Sequence, residues 1–371
     1  MKKFHLSILF FLLPLVTFAQ QNNFTIKGTG ETLSDGDTIY LCDINQLSFA
    51  VQRLDSAIVR NGVYRFTGSA PGCKMRYILP FKNGNYVSVL AILLENADYT
   101  IHSYDAYNRK EPDVQGGENH QLYKAYKYIQ KKWSEEMVPF GSITRDPTKA
   151  LEEKLQAQQK VDSLMVLQRE EEFQFMMDHL PALFTDMILS YNYSSFTSDQ
   201  KEKALAAFKE KYPEGANYKR ILSQQTVTDA TEIGKMYTDF TMPDPDGKSV
   251  SISEVIKKNK LTLVDFWASW CVPCRQEMPN VVEAYNRYHA KGFEIVGVSL
   301  DSNREAWLKG IKSFQMPWPQ MSDLKGWKSE GAQLYNVKGI PANVLINNKG
   351  EIVARDLRGL TLINRVGELL K

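Results

Sequence analysis

Hydrophobic and polar positions change rhythm twice along the chain, dividing it into three stretches. From Phe24 to about Ser103, short β-type runs stand at Phe24–Lys27, Thr38–Leu41, Ala57–Val59, Val63–Thr67, Arg76–Phe81, Val87–Leu94 and Tyr99–Ile101. Turn residues such as Ser34-Asp35-Gly36-Asp37, Asn61-Gly62 and Lys82-Asn83-Gly84-Asn85 separate them. Alternation in Val63-Tyr64-Arg65-Phe66 is that of a half-buried strand, so an all-β antiparallel sheet or sandwich is predicted over residues 20–110. Residues 111–230 have apolar positions three or four apart, as in Leu122, Tyr126 and Ile129, then Leu151, Leu155, Leu164 and Met165. Helices are predicted over Asn119–Val138, Thr148–His179, Ser198–Tyr212 and Ala216–Gln225, punctuated by Pro139, Pro147, Pro181 and Pro213. In this helical middle region Phe173, Phe175, Met176, Met177 and Phe184 are expected to form the core of a spacer. Glu170-Glu171-Glu172 is expected to be a solvated face.

Residues 231–371 alternate strand and helix. Leu261–Trp267 and Phe293–Ser299 are nearly continuous apolar strands, the first followed by a helix from Cys271 towards His289 and the second by one opened by Ser302-x-x-Glu305. Asn343–Ile346 and Glu351–Arg355 make a hairpin, and Leu362–Leu370 a closing helix. This order implies an α/β domain with a parallel strand pair. Asp244-Pro245-Asp246-Gly247-Lys248-Ser249 lacks the first glycine of a phosphate loop, Met242 standing there, and reads as a hairpin turn.

The chemistry lies between the first of these strands and its helix, at Cys271-Val272-Pro273-Cys274. A helix start carries unpaired N–H groups and a partial positive charge, which favour thiolate at the first cysteine. Two thiols one turn apart can form a disulfide, and Pro273 has no N–H to lose in the first turn. The chain has four cysteines, and no second CxxC or paired histidine follows at zinc spacing, so neither a metal nor another cofactor is expected. Asp265, on the strand, and Glu277, one helical turn past Cys274, are the nearby acids. Each is a candidate base for deprotonating Cys274, the alternatives being a structural hydrogen bond for Asp265 and an ordinary helix carboxylate for Glu277.

Phe266-Trp267-Ala268-Ser269-Trp270-Cys271-Val272-Pro273-Cys274-Arg275-Gln276-Glu277, followed by Phe293–Asp301 and Gly339–Val353, resembles the TlpA/ResA-like group of thioredoxin-family thiol–disulfide oxidoreductases over about Ile233–Lys371. The resemblance implies a thioredoxin-like C-terminal domain, with Cys271 exposed as nucleophile and Cys274 more enclosed as the resolving thiol. It also implies catalytic roles for Glu277 and Asp265, a cis bond between Ile340 and Pro341, and client contacts from Trp270, Ile340 and Pro341. Protein thiol or disulfide clients, apocytochromes among them, and a membrane or envelope electron donor are the implied partners. The β region resembles the small domain of unknown function that often precedes such modules.

Met1–Ala19 carries Lys2, Lys3, an apolar run broken by Pro14 and a small-residue pair before the polar Gln20-Gln21. That is the pattern of a secretory signal cleaved near Ala19, and a soluble protein of the periplasm or cell envelope is expected. The formal charge of +2 equals the contribution of those two lysines, which speaks against nucleic acid as a partner. After export Cys42 and Cys73 either pair or remain two separate thiols. A thiol peroxidase, or a client- or glycan-binding scaffold with an auxiliary redox module, are the competing functions. The first requires a threonine and proline pattern before the cysteine, where Asp265–Trp270 stands.

Overall fold

The computed structural model describes residues 23–371 apart from 46–47, 83–84, 87, 104–111 and 229–230. The expected leader Met1–Ala19 lies outside them, as do Asn83, Gly84 and Val87 of the expected turn and strand. Among the described residues no helix is long and apolar enough to cross a membrane. The chain divides into two compact units, one ending at Lys124 and the other beginning at Ala125.

Among the described residues of the first unit nine strands form two sheets: β1 (Phe24–Gly30), β2 (Thr38–Ile44), β3 (Val51–Ile58), β4 (Val63–Gly68), β5 (Lys74–Lys82), β6 (Asn85–Tyr86), β7 (Leu90–Leu94), β8 (Asp98–Ser103) and β9 (Asp113–Gln115). One sheet runs β4-β1-β8-β9; the other runs β3-β2-β5-β6, with β7 also on β5. Alternating residues such as Ile26, Tyr64, Phe66, Ile92 and Ile101 form a shared core. The expected antiparallel arrangement fails at one pair, since β1 and β8 run parallel. β8 reaches β1 only after the second sheet has been laid down, and so long a connection permits a parallel return that a hairpin forbids. β3 also exceeds the predicted Ala57–Val59. It is an edge strand with every residue exposed but Ala57, so it carries no alternation to read. Cys42 and Cys73 are separate free thiols, and burial pushes both up, Cys73 to about 12. Asn119, at the start of helix α1 (Glu118–Arg145), donates its backbone N–H and its side-chain amide to Glu95 at 2.8 and 2.6 Å.

In the second unit α1 runs on past Pro139, beyond its predicted end at Val138. Proline removes one backbone hydrogen bond without forcing the following residues out of the helix. Next come α2 (Leu151–Asp178), α3 (Leu183–Asn192), α4 (Ser198–Lys211) and α5 (Ala216–Thr228). The sequence does not announce α3, because its buried Phe184, Thr185, Asp186, Ile188 and Leu189 form a nearly continuous run rather than a stripe. Phe173, Met176 and Phe184 are core residues, with Phe175 and Met177 half-buried. The expected solvated face Glu170–Glu172 is instead engaged. Glu172 is buried and accepts from the Tyr126 hydroxyl (2.9 Å), Glu171 accepts from Lys132 and the Trp133 indole (both 2.6 Å), and Glu170 accepts from Gln200 (2.8 Å). Donors from other helices meet these carboxylates where a solvated face would offer only water.

The remaining elements are β10 (Thr241–Pro243), β11 (Ser249–Ser251), α6 (Ile252–Ile256), β12 (Leu261–Trp267), α7 (Val272–Tyr288), β13 (Phe293–Ser299), α8 (Arg304–Ser313), β14 (Gln320–Met321), α9 (Glu330–Leu334), β15 (Ala342–Asn347), β16 (Ile352–Arg355) and α10 (Gly359–Leu369). β10 and β11 are the two arms of a hairpin, turned by Asp244, whose carboxylate accepts from Asp246 and Lys248 N–H (both 2.9 Å). The expected capping box at Ser302 is displaced by one residue: Asn303 caps α8, accepting from Ala306 N–H at 2.9 Å. The sheet order is β14-β13-β12-β15-β16, parallel from β14 to β12 and antiparallel from β12 to β16. All seven residues of β12 are buried, so both faces of the central strand are covered, as its unbroken apolar text implies. This is a thioredoxin-like α/β arrangement.

The helical region packs on this module. α10 lies against both α7 and α2, Asn364 donates to the Leu155 carbonyl (2.8 Å), Thr361 donates to Asp162 (3.1 Å), and Arg287 pairs with Glu152 (2.6 Å). Leu155 of α2 is buried in the same apolar cluster as β12 and β13. Leu155→Ala is therefore expected to destabilise the C-terminal module itself, by about 2–5 kcal/mol, read as a lower denaturant midpoint of Trp fluorescence. An unchanged midpoint would mean that the helical region contributes nothing to that core.

Candidate active site

β12 carries the chain through the core to Trp267, and the turn Ala268-Ser269-Trp270 delivers it to α7. Trp267 is fixed by its indole N–H to Gln320 Oε1 (3.1 Å). The turn is held by buried Asp301, whose carboxylate accepts from Ser269 N–H (2.9 Å), Ser269 Oγ–H (2.6 Å) and Ser299 Oγ–H (2.8 Å). With three donors on one carboxylate, the approach to the sulfurs is preorganised.

Cys271 is the N-cap of α7, its φ and ψ of −79° and 103° still extended, and its Sγ accepts from Cys274 N–H at 3.1 Å. Cys271 and Cys274 are joined by a disulfide, with 2.08 Å between the sulfurs and 5.3 Å between the Cα atoms. Pro273 lies in the first turn, where its lack of an N–H costs nothing. The expectation of an exposed Cys271 needs correction: it is 4% exposed and Cys274 1%. In the bonded pair each sulfur faces the other, and that of Cys271 also faces a backbone N–H, so little of either is left for water.

Asp265 lies in the middle of β12, opposite Gly297 on β13 and Asn343 on β15, and is buried. Burial pushes its carboxyl up to about 7, the Arg358 guanidinium opposing and Glu277 adding to the rise. Glu277 is half-buried and faces away from a simple solvent role, since Oε1 accepts from Gly359 N–H (2.7 Å), the first residue of α10, and Oε2 accepts from Asn280 (3.3 Å). The Ile340–Pro341 bond is cis. Ala342 pairs with Phe266, so Pro341 sits at the end of β12 that leads to the cysteines. The Pro341 carbonyl accepts from Arg358, whose other terminal nitrogen donates to the Leu357 carbonyl at 2.7 Å.

Asp265, Glu277 and Pro341 are thus brought together around the segment Leu357–Gly359. Trp270 keeps different company: it is 54% exposed and its ring lies 6.3 Å from that of Trp327, which is 46% exposed. Arg358, Trp327 and Asp301 belong to this region without standing among the residues expected from the sequence. For Asp301 a signal existed, because it closes the Phe293–Asp301 motif. Arg358 and Trp327 stand in ordinary loop text.

Residues 233–355 match the AhpC/TSA family, and residues 24–123 match a domain of unknown function, DUF4369. The thiol-disulfide oxidoreductase ResA of Bacillus cereus (strain ZK / E33L) is 33% identical over 124 residues, 33% of this chain and 69% of that protein. ResA of Bacillus thuringiensis subsp. konkukian (strain 97-27) is 30% identical over 146 residues, 39% of this chain and 81% of that protein. Among solved structures, the thioredoxin domain of a thiol-disulfide oxidoreductase from Bacteroides vulgatus is 36% identical and covers 38% of this chain and 99% of its own, with a TM-score of 0.36.

Proposed function

The chain belongs to the thiol–disulfide oxidoreductases of the ResA type, and on that premise we propose that it is exported and reduces disulfides of periplasmic or envelope proteins, cytochrome c precursors among them. The observation that carries this reading is the Cys271–Cys274 bond across the first turn of α7. In the dithiol form the Cys271 thiolate attacks one sulfur of a client disulfide. A Cys271–client bond forms, the client's own S–S bond breaks, and one client thiolate leaves. Cys274 then gives up its proton and attacks Cys271 Sγ. The Cys271–Cys274 disulfide forms, and the second client thiolate departs and is protonated. The client gains two electrons and the protein loses two, which a membrane or envelope donor must return.

Asp265 is the base we assign to the Cys274 proton. A carboxyl that titrates near 7 exchanges protons at neutral pH without being fully ionised. Arg358 and Glu277 act on its charge in opposite senses, and Arg358 holds the Pro341 loop, along whose edge an extended client can lie. Val272 and Pro273 add no positive charge beside the thiolate, which favours a reductant over a strong oxidant. Trp270 supplies apolar contact surface.

Cys274→Ser tests both the direction and the compartment. When the reduced variant meets envelope proteins whose free thiols have been blocked, an adduct can form only by attack of Cys271 on a client's disulfide, so cystine-containing envelope proteins should be recovered on Cys271 and released by reductant. Recovery of none, or of cytosolic proteins alone, would reject the proposal.

A further inference from the structure

Two large aromatic side chains are left uncovered beside the reactive sulfurs by two separate parts of the fold. Trp270 directly precedes Cys271, and Val272, between the cysteines, is also exposed. Trp327 comes from the loop after β14, much later in the chain, and the two rings meet at 6.3 Å with 54° between their planes. The two rings touch and each keeps about half of its surface in water, apolar area that a further ring or aliphatic chain can cover.

The loop that presents Trp327 is fixed from several sides. Ser322 Oγ donates to the Ser299 carbonyl (2.9 Å) and accepts from Leu324 N–H (3.1 Å). The Asp323 carboxylate accepts from Lys325 N–H (3.1 Å) and Glu330 N–H (3.0 Å). Gln333 donates from its side chain to the Trp327 carbonyl at 2.7 Å. Leu324 has a φ of +56°, a left-handed conformation that is unfavourable for a leucine. So many bonds, around a backbone held against its preference, keep in water a side chain that burial would stabilise. The ring so displayed lies against the residue that directly precedes the nucleophile.

Resting on the thiol–disulfide exchange reading above, we propose that Trp327 and Trp270 form a two-jawed subsite that selects protein clients carrying an apolar or aromatic residue next to the disulfide, with Trp327 the specificity-determining jaw. Trp270 comes with the cysteine turn; Trp327 is the part this fold adds. The subsite takes no part in the electron transfer. It raises the fraction of encounters in which the client's cystine lies over Cys271.

The test uses the full chain in its reduced form and two cystine peptides that differ only in a Phe or Ser beside the attacked cysteine, with 2-hydroxyethyl disulfide as a small uncharged control. The expected preference of the natural protein is about five-fold for the Phe peptide, the size of one aromatic contact. Trp327→Ala should bring the ratio most of the way to one, through a loss on the Phe peptide several times larger than any loss on the Ser peptide or the small disulfide, and Trp327→Phe should restore most of the preference. A natural protein without preference, a Trp327→Ala variant that keeps it, or an equal loss on all three substrates would overturn the proposal. If the natural protein cleaved none of the three, the exchange reading would fail and take the subsite with it, whereas a flat ratio with intact rates sinks the subsite alone.

Discussion

Cys271→Ala is expected to slow reduction of an insulin-like disulfide on the order of 10⁴-fold, the scale on which loss of a covalent nucleophile is felt. Cys274 does not take over. It lies inside the first turn, whereas Cys271 occupies the N-cap, where the helix's unpaired N–H groups stabilise negative charge on sulfur. The substitution also removes the acceptor for Cys274 N–H, a loss worth about 1 kcal/mol at an N-cap. Cys271→Ser separates the two effects. Its hydroxyl can still accept at that position, so it should keep the stability of the reduced protein, which has no disulfide to lose, and lose the activity all the same. Activity retained by either variant would remove Cys271 from the chemistry.

The second large effect belongs to Asp265, and its sign separates a tuned group from a structural one. In the unfolded chain this carboxyl ionises near 3.8; in the fold, burial raises it to about 7. A group raised on folding contributes stability that is fully present below the unfolded value and is lost as pH climbs through the folded one. Between about pH 4 and 7 the unfolded chain releases a proton that the folded chain retains, so stability falls through that window, by as much as about 4 kcal/mol at roughly 1.36 kcal/mol per unit. Above the window the folded protein carries a buried charge. An asparagine in this place resembles the protonated acid and cannot ionise. Asp265→Asn should therefore leave stability at about pH 4 nearly unchanged and raise it at about pH 8 by up to about 4 kcal/mol, measured as denaturation midpoints at the two pH values. The same variant should resolve its mixed disulfide about a hundred-fold more slowly, since the base for Cys274 is gone. Parallel pH–stability curves for the two proteins would refute the assignment. So would a variant that is weaker at both pH values, because that is what loss of a purely structural hydrogen bond does.

Local text sufficed wherever local forces decide the structure. The unbroken apolar run of β12, the CxxC at a helix start and the hairpin turn at Asp244 are each specified by a handful of consecutive residues, and the structure has all three. What escaped depends on residues far apart in the chain. Glu172 reads as a solvated charge until Tyr126 comes over it from another helix. Arg358 has no motif, and its place beside Asp265 and the Pro341 carbonyl exists only once β15 lies beside β12 and the chain has turned into α10. Trp327 is one more loop aromatic until the β13–β14 pairing sets its loop beside Trp270. Edge strand β3 illustrates the opposite difficulty, because a strand with both faces in water has no periodicity for its sequence to display.

The packing of α10 against both α7 and α2 sets a timetable for biosynthesis. Thr361 and Asn364 meet partners on α2 that precede them by 199 and 209 residues. At a ribosomal pace of roughly 5–20 residues per second, α2 spends on the order of 10–40 s without its neighbour. Throughout that interval Leu155 and the stripe around it are uncovered. A holdase that grips apolar helices should find the nascent chain in this window and, under the export proposed above, keep hold of it until the chain has crossed the membrane and α10 can meet α2.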